Sequence, residues 1–436
     1  MKKMYVGLLS VILAGVLQVD AQAAPLGIKP VKSVAWADFL GMNTQFTWVS
    51  PEARRAQMAK MKELGLKWHR EGIHWELLEP EEMQFRFAEV DDTVKAAGEN
   101  GLLSSLYLVG SARHQTTAPA GVSNPDQYPP KSGAVYADRL AMLAERYPTV
   151  KAWQVWNEPN IPSFWQPNED PAAYSVLLRE SVAALAARAP AAQRVIGGMA
   201  YYSQMPIAGG LMFQALAGTG DLTPERVVAY HPYTNSAEGA TPADRDFIDT
   251  ANWLNTHLRQ AGVKDIWATE FGWSSYAGPS ELQPIVGESG QADLTIRRLA
   301  LMSAMDFNRV FLFTLADLDE RATVRDRSYG LIRQDGTNKP VFTALKRMLA
   351  TAGPSLSPAD VPAYATSPQS LISISWKKPD GKRVLMFWAN ETGSLKFANS
   401  GSVVVSDPLT GGKVTVSPVG GAVTLSVGKT LKIATY

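Results

Sequence analysis

The stretch Trp153-Gln154-Val155-Trp156-Asn157-Glu158-Pro159-Asn160 carries the strongest signal for the fold. It starts as a mostly apolar run and changes abruptly to Asn-Glu-Pro. A buried strand that ends on a carboxylate is typical of parallel α/β proteins, because their functional residues follow the carboxyl ends of the strands. The stretch Ile266-Trp267-Ala268-Thr269-Glu270-Phe271-Gly272-Trp273 repeats this arrangement with Glu270. The two stretches together predict an active site between the ends of two parallel strands.

Around these stretches, short β-like runs alternate with amphipathic helical segments from Asp38 to about Met348. Such alternation is typical of βα units around a parallel sheet, and eight strands close a (β/α)₈ TIM barrel. The predicted strands are Phe39–Phe46, Lys67–Trp75, Leu102–Val109, Val150–Trp156, Arg194–Ala200, Val227–Tyr233, Asp265–Glu270 and Arg309–Ala316. The clearest predicted helices, with apolar residues at helical spacing, are Pro51–Leu64, Asp138–Tyr147 and Asp246–Gln260.

The pattern changes after Gly353, where four prolines follow in a short stretch. Beyond them, short alternating or β-branched runs are separated by turn signals, which predicts a small antiparallel β-sandwich over residues 354–436. The catalytic barrel would then span residues 25–353. The predicted sandwich strands are Leu371–Lys377, Arg383–Ala389, Ser402–Ser406, Lys413–Ser417, Ala422–Ser426 and Leu431–Tyr436.

Composition excludes several classes of function. Lys and Arg number 42 against 41 Asp and Glu, so no net field favours nucleic acid as a partner. Cysteine is absent, which removes disulfides, Cys-ligated zinc and thiol nucleophiles. Gly428-Lys429-Thr430 looks like the end of a P-loop, but Val423 stands where that motif requires glycine. We therefore expect no metal, no nucleotide and no other cofactor.

Two glutamates facing each other across a barrel mouth are suited to glycosidic bond hydrolysis. That reaction needs one carboxyl group to protonate the leaving oxygen and a second to attack or stabilise the anomeric carbon. Tryptophan is also frequent, at 12 residues, and its flat rings pack well against sugar faces. We expect four tryptophans at the rim of the barrel, namely Trp48, Trp75, Trp165 and Trp273.

The Asn-Glu-Pro after the fourth strand and the Thr-Glu of the seventh resemble glycoside hydrolases whose two catalytic glutamates follow those strands. More closely, the chain is similar to glycoside hydrolase family 39, from about Val31 to the C-terminus. This resemblance implies Glu158 as acid/base and Glu270 as nucleophile, with retention of anomeric configuration. Glu71-Gly72 and Phe271 depart from the family pattern near the rim. The stretches that carry the resemblance are Gly41–Phe46, Tyr107–Arg113, Trp153–Asn160, Tyr230–Thr234 and Phe311–Leu315.

Several neighbouring residues are predicted to bind substrate or to support the two glutamates. Asn157 is suited to hydrogen-bond the sugar 2-OH. Arg70 is placed to pair with Glu270 and keep it ionised, and His231 and Tyr233 are placed to orient the same carboxylate. The remaining predicted substrate-binding residues are His74, Trp75, Arg113, Trp165 and Trp273.

Three functions fit these features. The first is an endo-acting hydrolase of a biofilm-type exopolysaccharide, with mannose as one candidate unit. The second is an exo-acting glycosidase on small oligosaccharides, and the third is a non-catalytic carbohydrate-binding barrel. The presence of both glutamates favours an enzyme over a binding protein.

The N-terminus predicts export to the periplasm or secretion. Lys2 and Lys3 precede an apolar run from Val6 to Leu17, and Ala21-Gln22-Ala23 matches a signal-peptidase site, so residues 1–24 are predicted to be a signal peptide. N-terminal sequencing of the exported protein should find a chain that begins near Ala24. A chain that still begins at Met1 and sediments with membranes would instead indicate loose inner-membrane association.

Overall fold

The computed structural model describes residues 24–200, 211–234, 236, 238, 245–278 and 284–436. Eight strands form a closed barrel in which each strand pairs in parallel with its neighbours, and the eighth pairs back onto the first through Val310 and Leu40. The predicted signal peptide lies, except for Ala24, outside the described residues. In chain order the barrel strands are Leu40–Asn43, Trp68–His74, Leu103–Val109, Ala152–Val155, Gln193–Ile196, Arg226–His231, Asp265–Phe271 and Arg309–Leu312.

One main helix follows each barrel strand, so the predicted (β/α)₈ architecture is confirmed. Ser50 caps the first helix by accepting a hydrogen bond from the backbone N–H of Ala53, as its position before Pro51 predicts. The helices are Pro51–Glu63, Ala88–Glu99, Gly133–Arg146, Pro171–Arg188, Leu211–Gly218, Asp246–Gln260, Gly287–Ala304 and Pro340–Ala352, with short helices at Trp36–Phe39 and Trp75–Leu78 and an extra strand at Met199–Ala200. No helix in the described part of the chain is long and apolar enough to cross a membrane.

The C-terminal region forms two antiparallel sheets, as the alternating pattern predicts. The six predicted strands are present, together with three that were not predicted. The larger sheet contains Ser355–Pro358, Ile372–Lys377, Arg383–Trp388, Val403–Ser406, Lys413–Val416 and Lys432–Thr435. The smaller sheet contains Tyr364–Thr366, Gly393–Ala398 and Ala422–Val427.

Successive side chains point to opposite faces of the larger sheet, and both faces are apolar. Leu385 and Phe387 belong to a core shared with the smaller sheet. Their neighbours Met386 and Trp388 point the other way and join the hydrophobic core of the barrel. Because successive side chains of a strand face opposite sides, one strand serves both cores.

The chain before the barrel also joins this sheet. Leu26–Ile28 pairs in parallel with Ile372–Lys377, and Val34–Ala35 pairs with Ser355–Pro358. The last long helix before the eighth barrel strand contacts the sheet through Asp293, which accepts a hydrogen bond from the backbone N–H of Leu431 at 3.1 Å. The sheet is therefore fastened to the barrel by the segment that precedes the first barrel strand and by the helix Gly287–Ala304.

We expect the contact between the larger sheet and the barrel to stabilise the protein strongly. Replacing the fully buried Trp388 by Ala should lower the free energy of unfolding by about 3–5 kcal/mol, because it leaves a large cavity between sheet and barrel. Val414→Thr, on an edge strand where Val414 is 64% exposed, is the matched control and should change stability by less than about 0.5 kcal/mol. Urea unfolding followed by circular dichroism measures both, and similar losses in the two variants would contradict the expectation.

Candidate active site

Glu158 lies just beyond the fourth barrel strand in a sharply turned segment. Trp156 and Glu158 both have left-handed backbone conformations, with φ of 68° and 46°. Such conformations are costly for residues other than glycine and are often found at functional sites. The backbone N–H of Glu158 donates to the carbonyl of Gly198 at 2.9 Å, which ties this turn to the neighbouring strand. The side chain of Glu158 is 13% exposed.

Glu270 lies near the end of the seventh barrel strand and faces Glu158. One carboxylate oxygen of each glutamate and one ring nitrogen of His231 all lie within 4.8 Å of one another. The hydroxyl of Tyr233 donates to Oε2 of Glu270 at 3.3 Å. The structure thus brings four of the predicted site residues together at the mouth of the barrel.

Arg70 binds four side chains from three other strand ends. Its Nη1 donates to Glu270 Oε1 at 2.8 Å and to Asn43 Oδ1 at 2.7 Å. Its Nη2 donates to Asn157 Oδ1 at 2.7 Å, and its Nε donates to Gln154 Oε1 at 3.0 Å. Arg70 is fully buried, so these bonds replace its hydration and fix the guanidinium in one orientation.

A tyrosine supports the guanidinium from one side. The centre of the guanidinium of Arg70 lies 4.2 Å from the ring centroid of Tyr107, a cation–π contact. Burial raises the pKa of Tyr107 to about 12, so this ring stays neutral. A Cβ at Gly72 would lie 2.8 Å from Cζ of Tyr107, so glycine at this position makes room for the ring. Glycine at position 72 therefore has a local steric reason.

His231 holds Glu158 from the sixth barrel strand. A hydrogen bond of 2.7 Å joins its Nδ1 to Glu158 Oε1, and one of 3.1 Å joins its Nε2 to the hydroxyl of Thr269. Burial lowers the pKa of His231 to about 4, so the ring is neutral at pH 7. A Cβ at Gly198 would collide with both the imidazole and the Thr269 hydroxyl, so only glycine permits this packing.

The two glutamates have different electrostatic environments. Burial raises the pKa of Glu158 to about 8, despite the opposing effect of Arg70, so this carboxyl is protonated at neutral pH. Glu270 accepts hydrogen bonds from Arg70 and Tyr233, and the guanidinium charge stabilises a negative carboxylate there. Two carboxyl groups with such different surroundings are suited to different roles, one as proton donor and one as anion.

Glu158, His231 and Glu270 are also residue types that bind metal ions. The guanidinium of Arg70 already supplies a positive charge 2.8 Å from Glu270. That charge opposes the binding of a cation beside Glu270.

No protein-family model matches the sequence, and no curated protein sequence matches it. Solved structures do match. A family 39 glycoside hydrolase from the gut symbiont Bacteroides cellulosilyticus WH2 aligns with a TM-score of 0.68 at 16% identity, over 93% of this chain and 81% of that one. The fold is that of family 39 and family 30 glycoside hydrolases.

Two further structures illustrate this likeness. A monomeric beta-xylosidase from Caulobacter crescentus CB15 aligns with a TM-score of 0.65 at 16% identity, over 95% of this chain and 99% of that one. A family 30 endoxylanase from Clostridium papyrosolvens C71 aligns with a TM-score of 0.62 at 13% identity, over 95% and 98% of the two chains. At such identities the likeness establishes the fold.

Three of the four tryptophans predicted to lie at the rim are buried. Trp75, Trp165 and Trp273 were predicted to bind substrate, but each is at most 2% exposed. Trp75 donates from Nε1 to Glu79 at 2.7 Å, and Trp165 packs edge-on against Trp156. These rings are too large to leave in water when a core can accept them, so they fill the space beneath the loops.

Two other predicted residues lie apart from the glutamate pair. His74 is half-buried with its ring centroid 6.1 Å from that of Trp48, and burial lowers its pKa. Arg113 is exposed on its loop, where its Nε lies 3.6 Å from Oε2 of Glu76. Neither contact reaches Glu158 or Glu270.

Four polar residues complete the site without having been predicted as site residues. Each lies within the last three positions of a barrel strand, and each is buried or nearly so. The signal that marks them is a polar residue near the end of an apolar strand, at the face of the barrel where active sites form. They are Asn43, Tyr107, Gln154 and Thr269.

The raised pKa of Glu158 has a consequence for stability. Between pH 4.5 and pH 8 the folded protein retains a proton that the unfolded chain releases, so rising pH favours unfolding. Glu158→Gln cannot ionise, and it should therefore gain stability relative to the wild type between pH 5 and pH 8.5, on the order of a few kcal/mol. Urea unfolding of the wild type and of Glu158→Gln, at about pH 5 and about pH 8.5, measures this change in the free energy of unfolding. A difference that stays constant with pH would contradict the protonated assignment.

Proposed function

We propose that the protein is a retaining glycoside hydrolase in which Glu158 is the acid/base and Glu270 the nucleophile. The observation that carries this proposal is the short distance between two carboxyl groups in opposite environments. One carboxyl oxygen of Glu158 lies within 4.8 Å of one carboxyl oxygen of Glu270. Retaining enzymes place the two carboxyl groups about 5–5.5 Å apart, whereas inverting enzymes leave about 6.5–9.5 Å for a water molecule.

In the first step, Glu270 attacks the anomeric carbon while the bond to the leaving oxygen breaks. The proton on Glu158 passes to that oxygen, which leaves as a hydroxyl group. Arg70 and Tyr233 hold Glu270 in position for the attack. Asn157 is oriented by Arg70 through its Oδ1, which directs its Nδ2 amide as a donor to a substrate hydroxyl.

In the second step, Glu158 is a carboxylate and serves as general base. It removes a proton from water as the water oxygen attacks the anomeric carbon and displaces Glu270. His231, which is neutral at pH 7, holds Glu158 in the same position in both steps. Two inversions at the same carbon give net retention.

The proposed substrate is a polysaccharide cut within the chain. The support is the similarity of sequence stretches such as Gly41–Phe46, Tyr107–Arg113 and Trp153–Asn160 to the glycosyl hydrolase of the Psl exopolysaccharide pathway. That resemblance favours an exopolysaccharide of the biofilm matrix, with mannose as one candidate unit. The predicted signal peptide supports a location in the periplasm or outside the cell, where such a polymer is accessible.

An exo-acting glycosidase is the second candidate. Two structures with this fold are described as beta-xylosidases from Caulobacter crescentus, which favours short xylose-containing substrates as an alternative. Product analysis separates the two candidates, because endo-cleavage shortens the polymer before monosaccharide accumulates.

Replacing Glu270 by Ala tests the nucleophile. Activity on an aryl glycoside should fall at least about 10³-fold, because no carboxylate remains to attack the anomeric carbon. Sodium azide should restore part of the rate and give a glycosyl azide of inverted configuration. The exposed Glu99, at the end of helix Ala88–Glu99, provides the matched control, and Glu99→Gln should keep wild-type activity. Full activity in Glu270→Ala would refute the assignment.

Replacing Glu158 by Gln tests the acid. The rate on natural glycans should fall about 10²–10⁴-fold, since their leaving groups need a proton. Aryl glycosides with strongly acidic leaving groups should lose far less in the first step. Equal losses on both kinds of substrate would argue that Glu158 does not donate the proton.

A further inference from the structure

A cavity of about 160 Å³ lies between the loops that follow the first and eighth barrel strands. Its volume is on the order of ten times the ~15 Å³ that one water molecule needs, but below the ~300 Å³ of typical whole-ligand pockets. This size suits one small ring rather than an entire oligosaccharide. Its polar and aromatic lining consists of Gln45, Trp48, Gln57, Asp317, Asp319 and Gln334.

Trp48 is the only rim tryptophan that keeps exposed surface. The structure describes all twelve tryptophans, and only Trp48 and Trp253 are not buried. Trp253 lies on the outer helix Asp246–Gln260, whereas Trp48 lies at the catalytic face. The guanidinium of Arg321 lies over the Trp48 ring, 4.4 Å from its centroid. The remaining surface of the ring, beside amide side chains, is a lining that can bind the apolar part of a sugar and its hydroxyl groups together.

The charges of the cavity are already compensated. Asp317 accepts a hydrogen bond from Lys339 at 2.9 Å, and Asp319 is paired with Arg321 at 2.5 Å. The amide Nε2 of Gln334 donates to a backbone carbonyl at 2.6 Å, which leaves its Oε1 as an acceptor. With both carboxylates paired, the lining is suited to a neutral, hydroxyl-rich group rather than to an ion.

The cavity is connected to the glutamate pair through the first and eighth strands. The hydroxyl of Thr314 lies 2.7 Å from the carbonyl oxygen of Asn43 and 3.3 Å from Oε1 of Gln45. The side chain of Asn43 binds Arg70, which in turn binds Glu270. The residues that line the cavity and those that hold the nucleophile therefore belong to one hydrogen-bonded edge of the barrel mouth.

Glu71 fixes the loop that carries Gln45 and Trp48. Its carboxylate accepts hydrogen bonds from the backbone N–H of Thr47 at 2.7 Å, from the Thr47 hydroxyl at 2.8 Å and from the Thr44 hydroxyl at 3.2 Å. Glu71 is buried, and it follows Arg70 on the same strand with its side chain on the opposite face. Arg70 on this strand thus positions Glu270, and the next residue, Glu71, positions the wall of the cavity.

We propose that this cavity is a distal subsite that binds one neutral sugar unit of the substrate, remote from the bond that is cleaved. The inference rests on the proposed hydrolase function and adds the position and chemistry of a second recognition point. Glu158 and Glu270 are not among the lining residues, so the subsite binds only oligomers long enough to extend from the glutamate pair to Trp48. Its contribution therefore depends on substrate length.

Length-dependent kinetics test the proposal. The probes are β-1,4-linked xylo-oligosaccharides and manno-oligosaccharides from dimer to hexamer, together with the corresponding aryl monosaccharides. Trp48→Ala and, separately, Gln57→Ala should raise KM for the longest hydrolysed oligomers, by about tenfold for Trp48→Ala. Both should leave aryl monosaccharide hydrolysis within about twofold. Trp253→Ala, which removes an exposed tryptophan elsewhere, is the control and should change neither.

The outcomes separate this proposal from the proposed function. Equal losses on short and long substrates, or no loss on either, overturn the subsite while leaving the hydrolase in place. Binding of neither series to the wild type, measured by saturation-transfer NMR, also overturns it. Binding of long oligomers that Trp48→Ala weakens, with no hydrolysis by the wild type, supports the subsite and contradicts the hydrolase.

Discussion

The architecture of the site depends on the buried guanidinium of Arg70. It is a full positive charge removed from water, and among its four hydrogen-bond partners only Glu270 carries a compensating charge. A buried charge that loses its partner typically costs about 3–5 kcal/mol, so the surrounding side chains are held in one arrangement. Asn43, Asn157 and Glu270 each take the orientation that Arg70 permits. The geometry of Glu270 is therefore a consequence of satisfying one buried cation.

The same arrangement explains why the two glutamates differ. Glu270 receives the direct bonds of Arg70, whereas Glu158 is bonded to the neutral ring of His231. Without a charged partner in contact, burial dominates at Glu158 and favours its protonated form. Differences in their neighbours thus give the two carboxyl groups, which lie within 4.8 Å of each other, different electrostatic surroundings.

Whether a large aromatic side chain is buried or exposed depends on the space available around it. Trp165, in the loop that follows Glu158, packs edge-on against Trp156, and Trp388 packs between the sandwich and the barrel. Burying such rings stabilises the fold more than any other side-chain type, so a loop that can cover them generally does. In the short helix Phe46–Trp48, Phe46 is buried and Trp48 keeps exposed surface.

The barrel, six of the nine strands of the C-terminal region and the position of both glutamates at strand ends could be predicted from the sequence. These features depend on local periodicity and on turn residues, which a single stretch of chain contains. Which polar residues meet follows from the folded arrangement of the strands, since Arg70 and Glu270 are separated by 200 residues in the chain. The tertiary structure also decided that Trp75, Trp165 and Trp273 are buried, because burial depends on what packs above a residue. Periodicity reports the face on which a side chain lies, whereas exposure and partners are set by segments distant in sequence.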